Sequence, residues 1–356
     1  MLQLLTRFAM ILIVGISFMS CSKTNSDEPV LPGGSGIYAA YSTGPQYNER
    51  KARIWHDGAE QLLSDSGSNV YVNDIAIANN GDVYTTGCEC WRSLSPFQVQ
   101  LTDSCRLILW KNNQKQLLSS VDFTGLTKAR INISQDGDRY IAGTETLGTA
   151  GNGIIRLWKN GVKQDITNGS SDAMAYCLQV SGNDVYIGGE QKASSAGGPT
   201  KAVLWKNGSP QVLTDGSLSS TVVAVQVAGP DVYLAVNEGN ASAWVKKNNV
   251  LQTLPAGIKS IQDMVLSGND LYLLASPAFS STAVYKNGLL LHDLTYAPGA
   301  ASDIYGQKLF IKDGDVYVAG SVTVSAGETG IIWKNGAVLN TLGSSYVTSV
   351  EALLVR

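Results

Sequence analysis

Two short strings alternate along the whole chain, and their spacing restricts the fold more than any other feature. One is "WKNG" or a close variant, at Ile54–Gly58, Leu109–Asn113, Leu157–Gly161, Leu204–Gly208, Val245–Asn249, Val284–Gly288 and Ile332–Gly336. The other is "DVY" or a variant, at Asp82–Tyr84, Asp138–Tyr140, Asp184–Tyr186, Asp231–Tyr233, Asp270–Tyr272 and Asp315–Tyr317. Gly36–Tyr38 is a seventh copy that lacks the Asp. Copies recur every 39 to 56 residues or so, the size of a supersecondary unit that must stack on its neighbours to bury a core (about 40–50 residues for propeller blades).

Each unit reads as four short strands. In Ala173–Thr214 a first apolar strand ends at Val180, the turn "SGND" leads into "VYIGG", and a polar loop precedes "KAVLW", the turn "NG" and "PQVL". β-branched and aromatic residues fill the strands and Gly, Asn and Asp the turns. The 37 glycines and the low charged fraction of 15% suit a turn-rich β-protein. Seven such units predict an all-β, seven-bladed β-propeller with four antiparallel strands per blade. The chain enters at a second strand (residues 37–41) and stops after a first strand (residues 346–356). The last strand is therefore expected to join three N-terminal strands in blade 1 and close the ring. The "VYVAG … LWKNG" unit resembles the propeller repeats of secreted and lipid-anchored proteins of Bacteroidota, and more loosely the YVTN-type propellers. The resemblance covers residues 36–356 and implies a fold, not a ligand.

Residues 1–20 read as a signal peptide: Arg7, then an uncharged apolar run from Phe8 to Phe18 that is too short to span a bilayer. The ending "FMSC" resembles a bacterial lipoprotein signal, which implies cleavage before Cys21 and membrane attachment through lipid on its sulfur. Residues 21–35, polar with Pro and Gly, read as a flexible tether to the propeller at 36–356. Asp27–Glu28 resembles the surface-export signals of Bacteroidota lipoproteins. The expected location is the bacterial cell envelope, as an outer-membrane lipoprotein exposed at the surface. A net charge of −3 argues against nucleic acid as a partner, and the chain is expected to be monomeric.

The repeated residues read as structure. Asn–Gly between apolar runs marks a tight hairpin between third and fourth strands. Trp205 lies two residues before that turn and is expected to fill the gap between blades. In blade 5 Lys246 takes the Trp position and Trp244 stands two residues earlier, a slip that keeps the ring on the same face. The Asp of "DVY" is expected to bond turn backbone.

Binding residues are carried on loops of a rigid scaffold, and the longer loops share one face of the ring. The longest lies between Cys88 and Cys105. It carries Trp91, which belongs to no repeat, with Phe97 nearby, and Tyr47 stands on the first long loop. These aromatics suit sugar stacking or a protein partner. Cys88 or Cys90 is expected to pair with Cys105, and the spacing leaves the choice open. On the inner strands, Asp74 with Arg130 and Asp263 with Lys308 fall on adjacent blades and are expected to form two cross-blade ion pairs. Tyr176, Gln262, Gln307 and Glu351 form the neighbouring column and are expected to line the channel mouth, with Tyr176 and Glu351 joining Trp91, Phe97 and Tyr47 as the expected ligand- or partner-binding residues. His56 and His292 lie off the long-loop face, and the "DGD" stretches lack the spaced ligands of a calcium loop. No metal, cofactor or catalytic set is expected. The leading expectation is a non-enzymatic binding module for a protein or glycan on the long-loop face. The alternative is a carbohydrate-active enzyme of glycoside-hydrolase type using loop carboxylates.

Overall fold

A computed structural model describes residues 34–356, apart from residues 45–49, 65–68, 95–100, 120–122, 125–127, 147–150, 193–197, 241, 279, 297–302, 326 and 344–346. It consists of seven antiparallel sheets, six of four strands and one of five. Blade 4 is representative: Ala173–Ser181, Asp184–Lys192, Thr200–Lys206 and Ser209–Val212 pair in chain order. In blade 2 a short strand, Phe123–Thr124, also pairs with Leu101–Lys111. The first strands form the inner ring, each touching its counterpart in the next blade. Closure is as expected: Val347–Val355 pairs with Ile37–Thr43, followed by Lys51–His56 and Ala59–Leu62. That closing strand touches the inner strands of blade 2 (Asn69–Ile77) and blade 7 (Asp303–Lys312).

The apolar core divides into seven clusters, one at each seam between blades. Trp110 of blade 2 packs against Tyr38 and Ile54 of blade 1, Trp205 against Tyr140 and Leu157 of blade 3, and Trp333 against Tyr272 and Val284 of blade 6. Tyr285 does the same for blade 6 against blade 5. The indole N–H groups of Trp110 and Trp333 donate to the carbonyls of Leu63 and Thr295, both at 2.8 Å. Each of these carbonyls lies on the connector entering that tryptophan's own blade, so the ring both fills the seam and ties the connector down.

The two repeated strings bind each other. In blade 4, Asn207 sits at φ 50° and Gly208 at φ 81°, the paired positive angles of a two-residue hairpin turn. Asn207 Oδ1 accepts the Val185 N–H at 2.8 Å while its Nδ2 donates to Asp184 at 2.7 Å. Lys206 completes the clamp, 2.7 Å from Asp184 and 5.1 Å above the Tyr186 ring. Equivalent Asp–Lys pairs recur in blades 2, 3, 5, 6 and 7. Blade 1 exchanges the parts. Gly36 stands in place of the Asp, Asp57 replaces the Asn and accepts the Ile37 N–H at 2.9 Å, and His56 stacks on Tyr38 at 3.9 Å. The carboxylate has moved to the opposite strand and the clamp survives.

These clamps set an acid limit on stability. Lysine and asparagine donors hold the carboxyls of Asp138, Asp184, Asp231, Asp270 and Asp315 below the ordinary range, and Asp82 at about 2. A carboxyl depressed in the folded state stabilises above its unfolded value of about 3.9 and loses that contribution as pH falls through the folded value. Asp184→Asn is therefore expected to lower the urea midpoint at pH 5, with the difference from wild type shrinking towards pH 2. A difference that holds constant between those pH values contradicts the clamp.

Candidate functional site

Six of the seven inner strands share one irregularity among the described residues. In blades 2, 4, 5, 6 and 7 the pairing with the second strand skips one residue, at Asn73, Tyr176, Val223, Gln262 and Gln307. In blade 1 it skips Glu351. A bulge turns its extra residue out of the ladder and re-aims the neighbouring side chains. The four residues expected in one column, Tyr176, Gln262, Gln307 and Glu351, are thus all bulge residues. Asp74, Cys177, Asp263 and Lys308 each follow one.

This arrangement concentrates charge at the axis. Lys308 lies 3.7 Å from Asp263 on the adjacent blade, and Glu351 is 3.9 Å from Lys128. The expected Asp74–Arg130 ion pair is corrected. The Arg130 guanidinium donates instead to the carbonyls of Asn73 (2.6 Å) and Tyr176 (2.9 Å). Asp74 accepts the N–H groups of Ile75 (3.0 Å) and Ile131 (3.1 Å). Both side chains staple blade 2 to blade 3 through main chain, because the bulge presents an open carbonyl at Asn73 closer than the carboxylate. Burial pushes the Asp74 carboxyl up against the pull of Lys308 and Arg130. Burial likewise pushes the Cys177 thiol up to about 12, far from a reactive thiolate. The Tyr176 hydroxyl donates to Glu190 at 3.4 Å, and burial beside that carboxylate takes the phenol to about 12.

Blade 2 departs from the other blades. Its second and third strands, Val83–Leu94 and Leu101–Lys111, have 12 and 11 residues. Cys90 is directly opposite Cys105 and disulfide-bonded to it, whereas Cys88 faces Leu107 and is wholly buried. Register therefore chooses Cys90. Trp91, the next residue, points to the opposite face. It is half-buried, and the Arg106 guanidinium lies 4.7 Å above its ring. The disulfide thus ties the outer part of the hairpin together one residue before Trp91. Cys21, Tyr47 and Phe97 lie outside the described residues.

The described long-loop carboxylates have intramolecular partners. Glu89 meets Lys115 at 2.6 Å, Asp172 meets Lys192 at 2.7 Å, and Glu145 meets Arg156 at 3.0 Å. Glu190 accepts from Thr221 and Thr200 as well as Tyr176. Glu238 accepts the Trp244 indole N–H at 3.0 Å, and Glu328 accepts from Ser321. Among the described residues no group of three or more His, Cys, Asp or Glu comes together as a metal site would need. No helix among them is long and apolar enough to cross a membrane. The clamp, the blade 1 exchange and the Trp244–Glu238 bond were not expected from sequence. An Asp moving from one string to the other in blade 1 was the visible signal for the first two.

Seven sheets closed round a charged axis define a seven-bladed β-propeller. No family model matches the chain, and no curated protein matches it. Among solved structures it is similar to a polysaccharide lyase, Uly1, at 13% identity and a TM-score of 0.45, over 86% of this chain and 90% of that one. It is also similar to an acylaminoacyl peptidase of Pyrococcus horikoshii at 10% identity and a TM-score of 0.46. That match covers 80% of this chain and 48% of the peptidase.

Proposed function

We propose that the protein is a lipid-anchored, non-enzymatic binding module of the bacterial cell envelope, taking a protein or glycan partner on its long-loop face. The observation that carries the reading is the stapled blade 2 hairpin. A tryptophan that no repeat explains is held near the end of two over-long strands, braced by a disulfide beneath it and a guanidinium over its ring. An aromatic anchor on a rigid element loses little conformational freedom on binding, which is how a few residues come to dominate an interface. The disulfide suits an oxidising compartment, in keeping with export and lipid attachment at Cys21. Binding is favoured over glycoside hydrolysis because the described long-loop carboxylates are engaged in hydrogen bonds or ion pairs. Glycan arrays and capture from envelope extracts, run in parallel with wild type and Trp91→Ala, test the reading. The variant is expected to lose at least about tenfold in affinity for whatever the wild type retains, the effect of removing a hot-spot aromatic. Retention of the same partners at unchanged affinity contradicts it.

A further inference from the structure

At the seam between blades 4 and 5 the aromatic ring of the repeat position, Trp at five seams and Tyr285 at one, is missing. Lys246 stands opposite Leu234 in the register where Trp205 stands opposite Ile187. The seam's apolar cluster contains Tyr186, Leu204 and Leu234 among its buried members, but the only tryptophan near it, Trp244, lies at its margin. At two other seams an indole reaches the entering connector, as Trp110 reaches Leu63 and Trp333 reaches Thr295. Here the corresponding connector, Leu213 to Ser217, meets no such ring, and an open cleft of about 350 Å³ occupies the space. The slip that looks like tolerated packing in sequence leaves a shallow depression open to the surface.

The cleft is organised. Trp244 and Leu213 supply apolar walls, and Glu238, Asp215 and Lys246 supply polar ones. The Trp244 ring is fixed by its bond to Glu238 Oε2 at 3.0 Å, with the Lys246 ammonium 4.5 Å from its centroid. Asp215 is oriented by the Ser217 N–H at 2.8 Å. A volume near the lower end of ligand pockets, about 300–1,000 Å³, fits a small molecule rather than a chain. Two carboxylates against one ammonium disfavour an anion. Lys246 already occupies the cation position over the ring, which disfavours a second cation. A purely apolar guest would strand both carboxylates away from water. What remains is a neutral molecule with many hydroxyls and one apolar face.

We propose that the blade 4–5 seam binds a neutral pyranose, with Trp244 as the apolar wall and Glu238, Asp215 and Lys246 bonding its hydroxyls. This site is separate from the blade 2 hairpin and goes beyond the reading given for it. Ligand-observed saturation-transfer NMR on the whole protein tests it with two sets of sugars. The neutral set is glucose, galactose, mannose, N-acetylglucosamine, cellobiose and lactose; the charged set is glucuronate, galacturonate and glucosamine. At least one neutral sugar is expected to give a saturable signal and to bind more tightly than its charged counterparts. Lys246→Trp, which restores the repeat and fills the cleft, is expected to weaken that signal at least tenfold while melting no lower than wild type. Trp244→Ala is expected to weaken it similarly, and Trp91→Ala to leave it unchanged. The proposal is overturned if no neutral sugar binds, if a uronate or glucosamine binds best, or if Lys246→Trp retains the signal. Loss of the signal in Trp91→Ala also overturns it, by placing the sugar on the hairpin.

Discussion

Removal of Val347–Arg356 is expected to abolish the cooperative melting transition of the whole propeller, not to fray one edge. The segment is the innermost strand of blade 1, and its loss strips Ile37–Thr43 of a partner. Val350 and Ala352 are wholly buried, and Leu353 and Val355 nearly so. Val350, Leu353 and Val355 pack in the blade 7–1 cluster and Ala352 in the blade 1–2 cluster, so one deletion opens two seams. Each large apolar side chain stabilises by about 1.5–3 kcal/mol when buried. Three of them, with the lost ladder, approach the net stability of a domain, about 5–15 kcal/mol. The exposed edge would also template aggregation. Circular dichroism melts of the full and shortened chains check this. An unchanged midpoint contradicts ring closure as the source of stability.

Trp333→Ala is the single substitution with the largest expected cost. Trp333 is 0% exposed at the blade 6–7 seam, and its N–H is bonded to Thr295. Truncating it leaves a cavity and an unpaired connector carbonyl, and such changes cost about 3–5 kcal/mol. In urea unfolding the midpoint is expected to fall with little change in slope. Trp244→Ala is expected to cost far less, because that ring is only half-buried at the edge of an open cleft. Equal losses for the two variants contradict the view that the repeated tryptophans are seam fillers and the displaced one is not.

Much of the ring was legible in the repeats. Asn–Gly announced the hairpins because few residue pairs adopt two positive φ angles, and the alternation of the two strings set strand order and closure. Column alignment located the bulge residues Tyr176, Gln262, Gln307 and Glu351 and correctly paired Asp263 with Lys308. It misjudged Arg130, since alignment places a Cα on a strand and says nothing of which carbonyl a long guanidinium reaches. Cys88 and Cys90 share a face, so the choice of partner depends on the register of the two strands, which the spacing alone does not set. Lys246 was visible as a missing tryptophan. Whether neighbouring groups close over such a gap is a matter of volume, and no one-dimensional pattern records it.

The central claim is that the repeated residues hold the ring together while departures from the repeat carry recognition. One comparison tests it directly. Affinity for the partner retained by wild type is measured for Trp91→Ala, outside the repeat, and for Lys206→Ala, within the "WKNG" string. The expected result is a loss of at least about tenfold for Trp91→Ala and unchanged affinity for Lys206→Ala, which gives up its surface pair with Asp184 and its place over the Tyr186 ring. Binding that survives Trp91→Ala and fails in Lys206→Ala would show the repeated strings themselves to be the binding sites.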